Sequence, residues 1–419
     1  MMRLRYRLSA LTRGDTTGGL VTDSLDLDLA ILNTDFKRPS PASKKAASTK
    51  KAAGSAKTSA IIYARCESDV AFSSLPPGPE LKALLEYKDL INRVLLENGE
   101  RPLKTDLARF GHDLFNYIIR GDVRRLYDRL PLDKRVRIHI MTNRPDLQSL
   151  PWEFLQDPSR PPGPWRERSV VRVVPTIGNP KPVPFKLTGG GTKLRILFVY
   201  ADPQNQTFVS WPSVRASIER VFSARLPTND YELKVIRGTP AELVDAFQGN
   251  NERYDIFQFS GHGEVDAGGE GRILLLNENN LQSSPLSAGN LANLLNGRGI
   301  KLAVISACST AAGNAADPFN VVAEALVASG IPAVIANLLP VPDTSVAAFV
   351  GAMYTQLLNT GDIDLAVNDA RIKLSIELDV SPDATLEWGI PTLYRHIAGS
   401  KVFDPLQAAA AQPSPIPHT

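Results

Sequence analysis

The chain has 419 residues, longer than one hydrophobic core comfortably serves, so two globular units are expected. Apolar residues make up 43% and charged residues 22%, an ordinary soluble balance, and a net charge of +3 is too small to call for nucleic acid. Two cysteines, Cys66 and Cys308, exclude a disulfide scaffold, and no apolar run reaches the ~18 residues of a membrane-spanning helix.

Residues 1–36 read as a strand-rich segment, with alternation clearest in Leu25-Asp26-Leu27-Asp28-Leu29. The opening Met1-Met2-Arg3-Leu4-Arg5-Tyr6-Arg7-Leu8 lacks the apolar region of a secretory signal, so a cytoplasmic location is expected. Residues 37–60 hold seven basic residues and no acidic one among Ala, Ser and Pro. That composition predicts a disordered basic linker, open to proteolysis and without the aromatic residues that would shape a nucleic-acid site.

From 61 to 176 a smaller α/β lobe is expected. Strands are predicted at Ala60-Ile61-Ile62-Tyr63-Ala64, at Arg135-Val136-Arg137-Ile138-His139-Ile140 and at Val170-Val171-Arg172-Val173-Val174. Apolar stripes of helical period cover 81–96 and 103–126. Residues 177–193, Pro-rich and containing Gly189-Gly190-Gly191, mark a linker.

Residues 194–404 alternate strand and helix. Strands are predicted at 194–201, 231–236, 254–259, 273–276, 302–306 and 333–338, with helices near 212–225, 240–249, 286–297 and 318–329 and two more after 343. Thr239-Pro240-Ala241-Glu242 is a capping box with Pro at the first helical position, and Asp317-Pro318 opens a helix the same way. This alternation predicts an α/β fold with a mostly parallel sheet and helices on both faces. Residues 405–419 read as a disordered tail.

Two stretches carry chemistry: Ile256-Phe257-Gln258-Phe259-Ser260-Gly261-His262-Gly263 and Leu302-Ala303-Val304-Ile305-Ser306-Ala307-Cys308-Ser309. Each is an apolar strand closed by small residues. Ligands of open α/β sheets sit outside the carboxyl ends of the strands, so His262 and Cys308 are expected to meet across one crevice. A Cys/His pair suffices for thiolate nucleophilic catalysis. The loop Ser309-Thr310-Ala311-Ala312-Gly313 would leave the sulfur at a surface, and Gly261 and Gly263 would let a substrate backbone approach. The amides of Gly263 and Cys308 are candidate oxyanion donors. Cys66 reads as structural. No two of the five His and two Cys have metal-ligand spacing, so neither a metal nor another cofactor is expected. Two apparent phosphate loops fail: a strand follows Gly189-Gly190-Gly191-Thr192-Lys193, and Asp266 takes the third glycine position after Gly261-His262-Gly263.

On these residues the chain resembles the CHAT family of caspase-like cysteine proteases, relatives of separase. The likeness continues through 323–330, Pro340-Val341-Pro342-Asp343, 349–357, 366–372 and Trp388-Gly389-Ile390-Pro391, and begins upstream at Leu150-Pro151-Trp152-Glu153-Phe154-Leu155. It implies a caspase-like three-layer fold in which 194–404 is the catalytic lobe and 61–176 a pseudo-protease-like companion. It also implies endopeptidase activity on a protein substrate, with Cys308 as nucleophile and His262 as general acid/base. Ser306 stands where the caspase signature has Gln, so a preference for aspartate does not carry over. Asp202 and Asp343, at other strand ends, are expected to line the pocket with Ser306 and to favour Arg or Lys before the cut. By analogy, the substrate would be an effector such as a gasdermin-like pore former in bacterial defence or programmed death, with an activating partner, no membrane and no nucleic acid. The alternative is a catalytically silent CHAT-like scaffold.

Overall fold

The computed structural model describes residues 24–33, 60–76, 78–97, 101–161, 163–175, 193–248, 253–309, 318–337, 343–377, 386–397 and 399–404. The expected basic linker (bar Ala60), nearly all of the 177–193 linker and the 405–419 tail lie outside them.

In chain order the elements begin with β1 Ser24–Asn33, β2 Ala60–Cys66, β3 Asp69–Ser74, α1 Gly78–Glu97, α2 Lys104–Ile118 and α3 Gly121–Asp128. There follow β4 Arg135–Thr142, α4 Pro145–Gln148, β5 Arg168–Val173, β6 Leu194–Tyr200, α5 Trp211–Arg225, β7 Tyr231–Arg237 and α6 Pro240–Asp245. Next come β8 Ile256–Val265, β9 Gly271–Leu276, β10 Ser283–Ser287, α7 Ala288–Leu295 and β11 Leu302–Ser309. The series closes with α8 Pro318–Ala328, β12 Ala333–Asn337, α9 Asp343–Thr360, α10 Ile363–Glu377 and β13 Pro391–Arg395.

The thirteen strands of the described residues lie in one sheet, in the order β10-β9-β8-β11-β12-β13-β5-β4-β1-β2-β3, with β6 and β7 branching from β8. The expected α/β class and the parallel placement of 302–306 hold: β11 pairs in parallel with β8 on one side and β12 on the other. Strand alternation sorts side chains into two layers. Ile196, Phe198, Ile256, Leu302 and Val304 pack with helix residues such as Phe222 and Met353 on one face. Leu197, Val199, Phe257, Phe259, Ala303 and Ile305 pack with Leu243, Leu291, Val322 and Leu326 on the other. Both faces are therefore covered by helices, which is why these strands read as continuous apolar runs.

Several boundaries differ from expectation for local reasons. The predicted helix 103–126 is two helices, because Gly121 turns left-handed at φ 54° and a side chain there would meet Ser73 Oγ at 2.8 Å. β10 is Ser-rich and contains Pro285, a combination tolerated on an edge strand but lacking an apolar signal. β8 and β11 both extend beyond their apolar runs and carry the small residues into the ladder.

The strands of 61–176 and 194–404 share this sheet through a narrow joint. β13 pairs with β5 at two positions, Tyr394↔Arg172 and Arg395↔Val173. Buried arginines reinforce it. Arg395 donates to both oxygens of Asp364 at 2.9 Å and to His139 Nε2 at 2.7 Å. Since Arg only donates, His139 accepts at Nε2 and donates from Nδ1 to Asp28 at 2.8 Å. Burial alone would raise the Asp28 carboxyl, yet the bonds from His139 and Arg65 outweigh it and hold the group below its ordinary value. Arg172 pairs with Glu153 through two bonds of 3.0 and 2.8 Å, and Arg371 donates to the Pro391 carbonyl at 2.6 Å. The segment resembling the family upstream thus has a structural role: Glu153 anchors Arg172, while Phe154 packs edge-on against Trp388 at 4.9 Å.

Removing one member of such a buried set leaves the other charge uncompensated. Arg395→Ala is expected to lower unfolding free energy by about 3–5 kcal/mol in denaturant titration. A loss below ~1 kcal/mol, the range of exposed pairs, would contradict the joint's role.

Candidate active site

The site grows from the pairing of β8 and β11. Their parallel register runs Val304↔Gln258, Ser306↔Ser260, Cys308↔His262 and Ser309↔Gly263. The two expected dyad residues are thus direct Cα partners at the carboxyl ends of neighbouring strands. The side chain of Cys308 lies outside the described residues.

On its other edge β8 changes neighbour. β6 accompanies it only as far as Tyr200↔Ser260, and β9 takes over from His262↔Leu274 and Gly263↔Ile273. The chain leaving β6 at this level runs on as a loop over residues 201–210 that reaches His262. Its Thr207 carbonyl accepts a hydrogen bond from His262 Nε2 at 2.7 Å. A proton committed to Nε2 leaves the lone pair of the neutral ring on Nδ1, making that nitrogen the base. The ring is fully buried.

This loop is pinned from two sides. Gln204 N–H donates to the Leu281 carbonyl at 2.9 Å, and Asn205 exchanges bonds of 2.8 and 2.9 Å with Ser283. At its other end Trp211 stacks on Tyr200 at 3.9 Å. Phe208, beside Thr207, is 66% exposed.

Beneath His262 and Cys308 runs a buried polar column. Tyr354 donates to Gln258 Oε1 at 3.0 Å, and Gln258 Nε2 donates to Ser306 Oγ at 3.0 Å. Burial raises the Tyr354 hydroxyl far above its ordinary value, so it stays a donor. Ser306, expected to line the substrate pocket, is buried and held from below by this column. Asp202 is half-buried at the start of the covering loop, and Asp343 opens α9 with its side chain outside the described residues. Gly263 follows His262 on β8 and is paired on both sides.

Gly261 meets its own chain, where the sequence pointed to a substrate. An added Cβ would lie 2.6 Å from Phe259 Cζ and 3.0 Å from the Ala201 carbonyl oxygen. A side chain there would force the Phe259 ring to shift and the Ala201 carbonyl at the start of the covering loop to give way. Cys66 is buried, and burial followed by the nearby carboxylates of Glu67, Asp26, Asp28 and Asp69 pushes its thiol up to about 11. Such a thiol stays protonated and unreactive at neutral pH.

Sequence reasoning missed the Thr207 carbonyl, since a main-chain acceptor leaves no residue signature. It also passed over Gln258, although a polar residue between Phe257 and Phe259 was a readable sign of a buried network.

Overpacking of this kind costs about 1–3 kcal/mol, so Gly261→Ala should lower the denaturation midpoint of the full chain. An unchanged midpoint would mean that the loop over His262 is not held as described.

A model of the CHAT domain matches residues 108–396, more than half of the chain. No curated protein matches the sequence. Among solved structures, the Arg-specific cysteine proteinase gingipain R is similar at 10% identity and a TM-score of 0.41, over 72% of this chain and 74% of that one. The Saccharomyces cerevisiae separase–securin complex is similar at 11% identity and a TM-score of 0.43, over 88% of this chain but 30% of that one.

Proposed function

The chain belongs to the CHAT domain family, and from that premise we propose that it is a cysteine endopeptidase acting through His262 and Cys308. The observation that carries this reading is the register Cys308↔His262 combined with the Nε2–H bond to the Thr207 carbonyl. Together they present Nδ1 of a buried imidazole as the base at the level of the cysteine.

In this mechanism His262 Nδ1 takes the thiol proton and the Cys308 thiolate attacks the scissile carbonyl carbon. The amides of Gly263 and Cys308 hold the oxyanion of the tetrahedral intermediate. His262 returns its proton to the leaving amine as the C–N bond breaks, leaving a thioester. Water then attacks the thioester with His262 as base, releasing the acid and restoring the thiol. No metal or other cofactor takes part.

Asp202, Ser306 and Asp343 form the primary pocket and favour Arg or Lys there. The substrate is a protein effector, of the kind a pore-forming gasdermin-like protein represents, cut in the cytoplasm during bacterial defence or programmed death. One feature favours an enzyme held in check: His262 is fully buried under the 201–210 loop. An activating partner would lift that loop, while a scaffold would never do so. Labelling of Cys308 by an iodoacetamide probe, compared with the His262→Ala variant, separates the two.

Cys308→Ala should abolish cleavage, His262→Ala should slow it about 10²–10⁴-fold, and Cys66→Ala should leave it intact. Wild-type turnover by Cys308→Ala would end the proposal. Losing a carboxylate that pairs with a buried cation costs roughly 2–5 kcal/mol, so Asp343→Asn should depress cleavage after Arg or Lys far more than after neutral residues. The basic segment 37–60, with Lys44-Lys45 and Lys50-Lys51, is then a self-cleavage site, and sequencing new N-termini after incubation checks both. Cuts confined to positions after Asp would defeat the basic pocket.

A further inference from the structure

β13 runs antiparallel to β12, and β5 and β4 run parallel to β13. The carboxyl ends of β4 and β5 therefore open on the edge of the sheet opposite to that of His262. A cavity of about 220 Å³ lies there, walled by Ile140, Trp152, Val173 and Tyr394, with Asn143 and Pro175 at its exposed mouth. An apolar cavity of about 150 Å³ already admits benzene, so this one holds an aliphatic chain of several carbons.

Its polar end is Glu324, which α8 brings to the cavity wall. Gln148 Nε2 donates to Glu324 Oε2 at 3.2 Å, and no Lys or Arg of the described residues forms an ion pair with this carboxyl. Arg172, on the same wall, makes its paired contact with Glu153. Burial pushes the Glu324 carboxyl up to about 7, and the pull of Arg172 only partly offsets this. An anion would be repelled by the ionised carboxyl, and a neutral ligand would gain nothing from its charge, whereas a cation holds it ionised as its counter-ion. A cation with an apolar stem satisfies both ends.

We propose that this cavity binds an alkyl-ammonium or alkyl-guanidinium group, with its cation on Glu324 and its stem along Ile140, Trp152 and Val173. The source is either a free small amine or a Lys or Arg side chain of a peptide. The site stands apart from the dyad and from the basic-residue pocket proposed beside it.

Isothermal titration of the full chain with n-butylguanidinium, n-butylammonium and acetyl-Gly-Lys-Gly-amide tests this, with n-butylurea as the neutral isostere. Saturable 1:1 binding of a cation, absent for n-butylurea, is expected, and the tighter of amine and peptide assigns the source. Glu324→Gln should weaken binding roughly 10–100-fold, the loss of one charge-assisted hydrogen bond. The comparison with n-butylurea on the wild-type chain decides the matter even if that variant does not fold. Asp343→Asn and Cys308→Ala should bind as tightly as wild type. No saturable binding of any cation, equal binding of n-butylurea, a folded Glu324→Gln variant that binds like wild type, or loss of binding in Asp343→Asn would each overturn the proposal. None of these readouts depends on proteolysis, so this site and the proposed endopeptidase activity stand or fall separately.

Discussion

The two-residue pairing of β13 with β5 is the constraint on which the rest of the structure hangs. A ladder that short fixes little by itself. Each strand end at the joint bears an arginine that must be matched: Arg172 by Glu153, and Arg395 by Asp364 and His139. A third, Arg371, donates to the Pro391 carbonyl where β13 begins. Buried guanidiniums tolerate few alternative arrangements, because any slip strands a desolvated charge. The joint thus derives its specificity from geometry that is costly to violate, even if apolar residues of equal volume would bind as strongly.

The same logic acts again near His262 and Cys308. Parallel strands slip easily in principle, and a one-residue slip would turn every side chain to the other face. Gln258 on β8 bonds Ser306 on β11 and is itself gripped by Tyr354 on α9. This cross-strand tie sits on the strands just before Cys308 and His262 and holds the register that pairs them. Above the strands, Asn205 and Ser283 tie the covering loop to β10, so the Thr207 carbonyl keeps its place over the imidazole. The strand ends bearing His262 and Cys308 are held by a polar column on one side and a pinned loop on the other.

Two histidines and two cysteines show how environment assigns roles. His139 lies between Arg395, which occupies Nε2, and Asp28, which takes the Nδ1 proton, so both ring nitrogens serve the joint. His262 gives its Nε2 proton to a carbonyl, so the neutral ring keeps its lone pair on Nδ1. Cys66 is buried, and that burial together with nearby carboxylates suppresses its thiolate, whereas Cys308 lies at the end of a central strand paired with His262.

The α/β class, the central parallel strand at 302–306 and the placing of His262 and Cys308 at strand ends were legible in the sequence, because each follows from local periodicity and strand-end composition. The extension of β8 through His262 was not, since small residues carry no strand signal and only the long-range pairing with β11 and the return of β9 bring them into the ladder. Nor was the role of Gly261, which depends on how closely Ala201 passes. The Thr207 carbonyl, the arginine joint and the cavity beside Glu324 are long-range juxtapositions built from atoms or residues with no pattern of their own. Sequence determined which residue types stand at the strand ends. Tertiary structure alone decided which nitrogen of His262 carries the proton, because that depends on an acceptor 55 positions away along the chain.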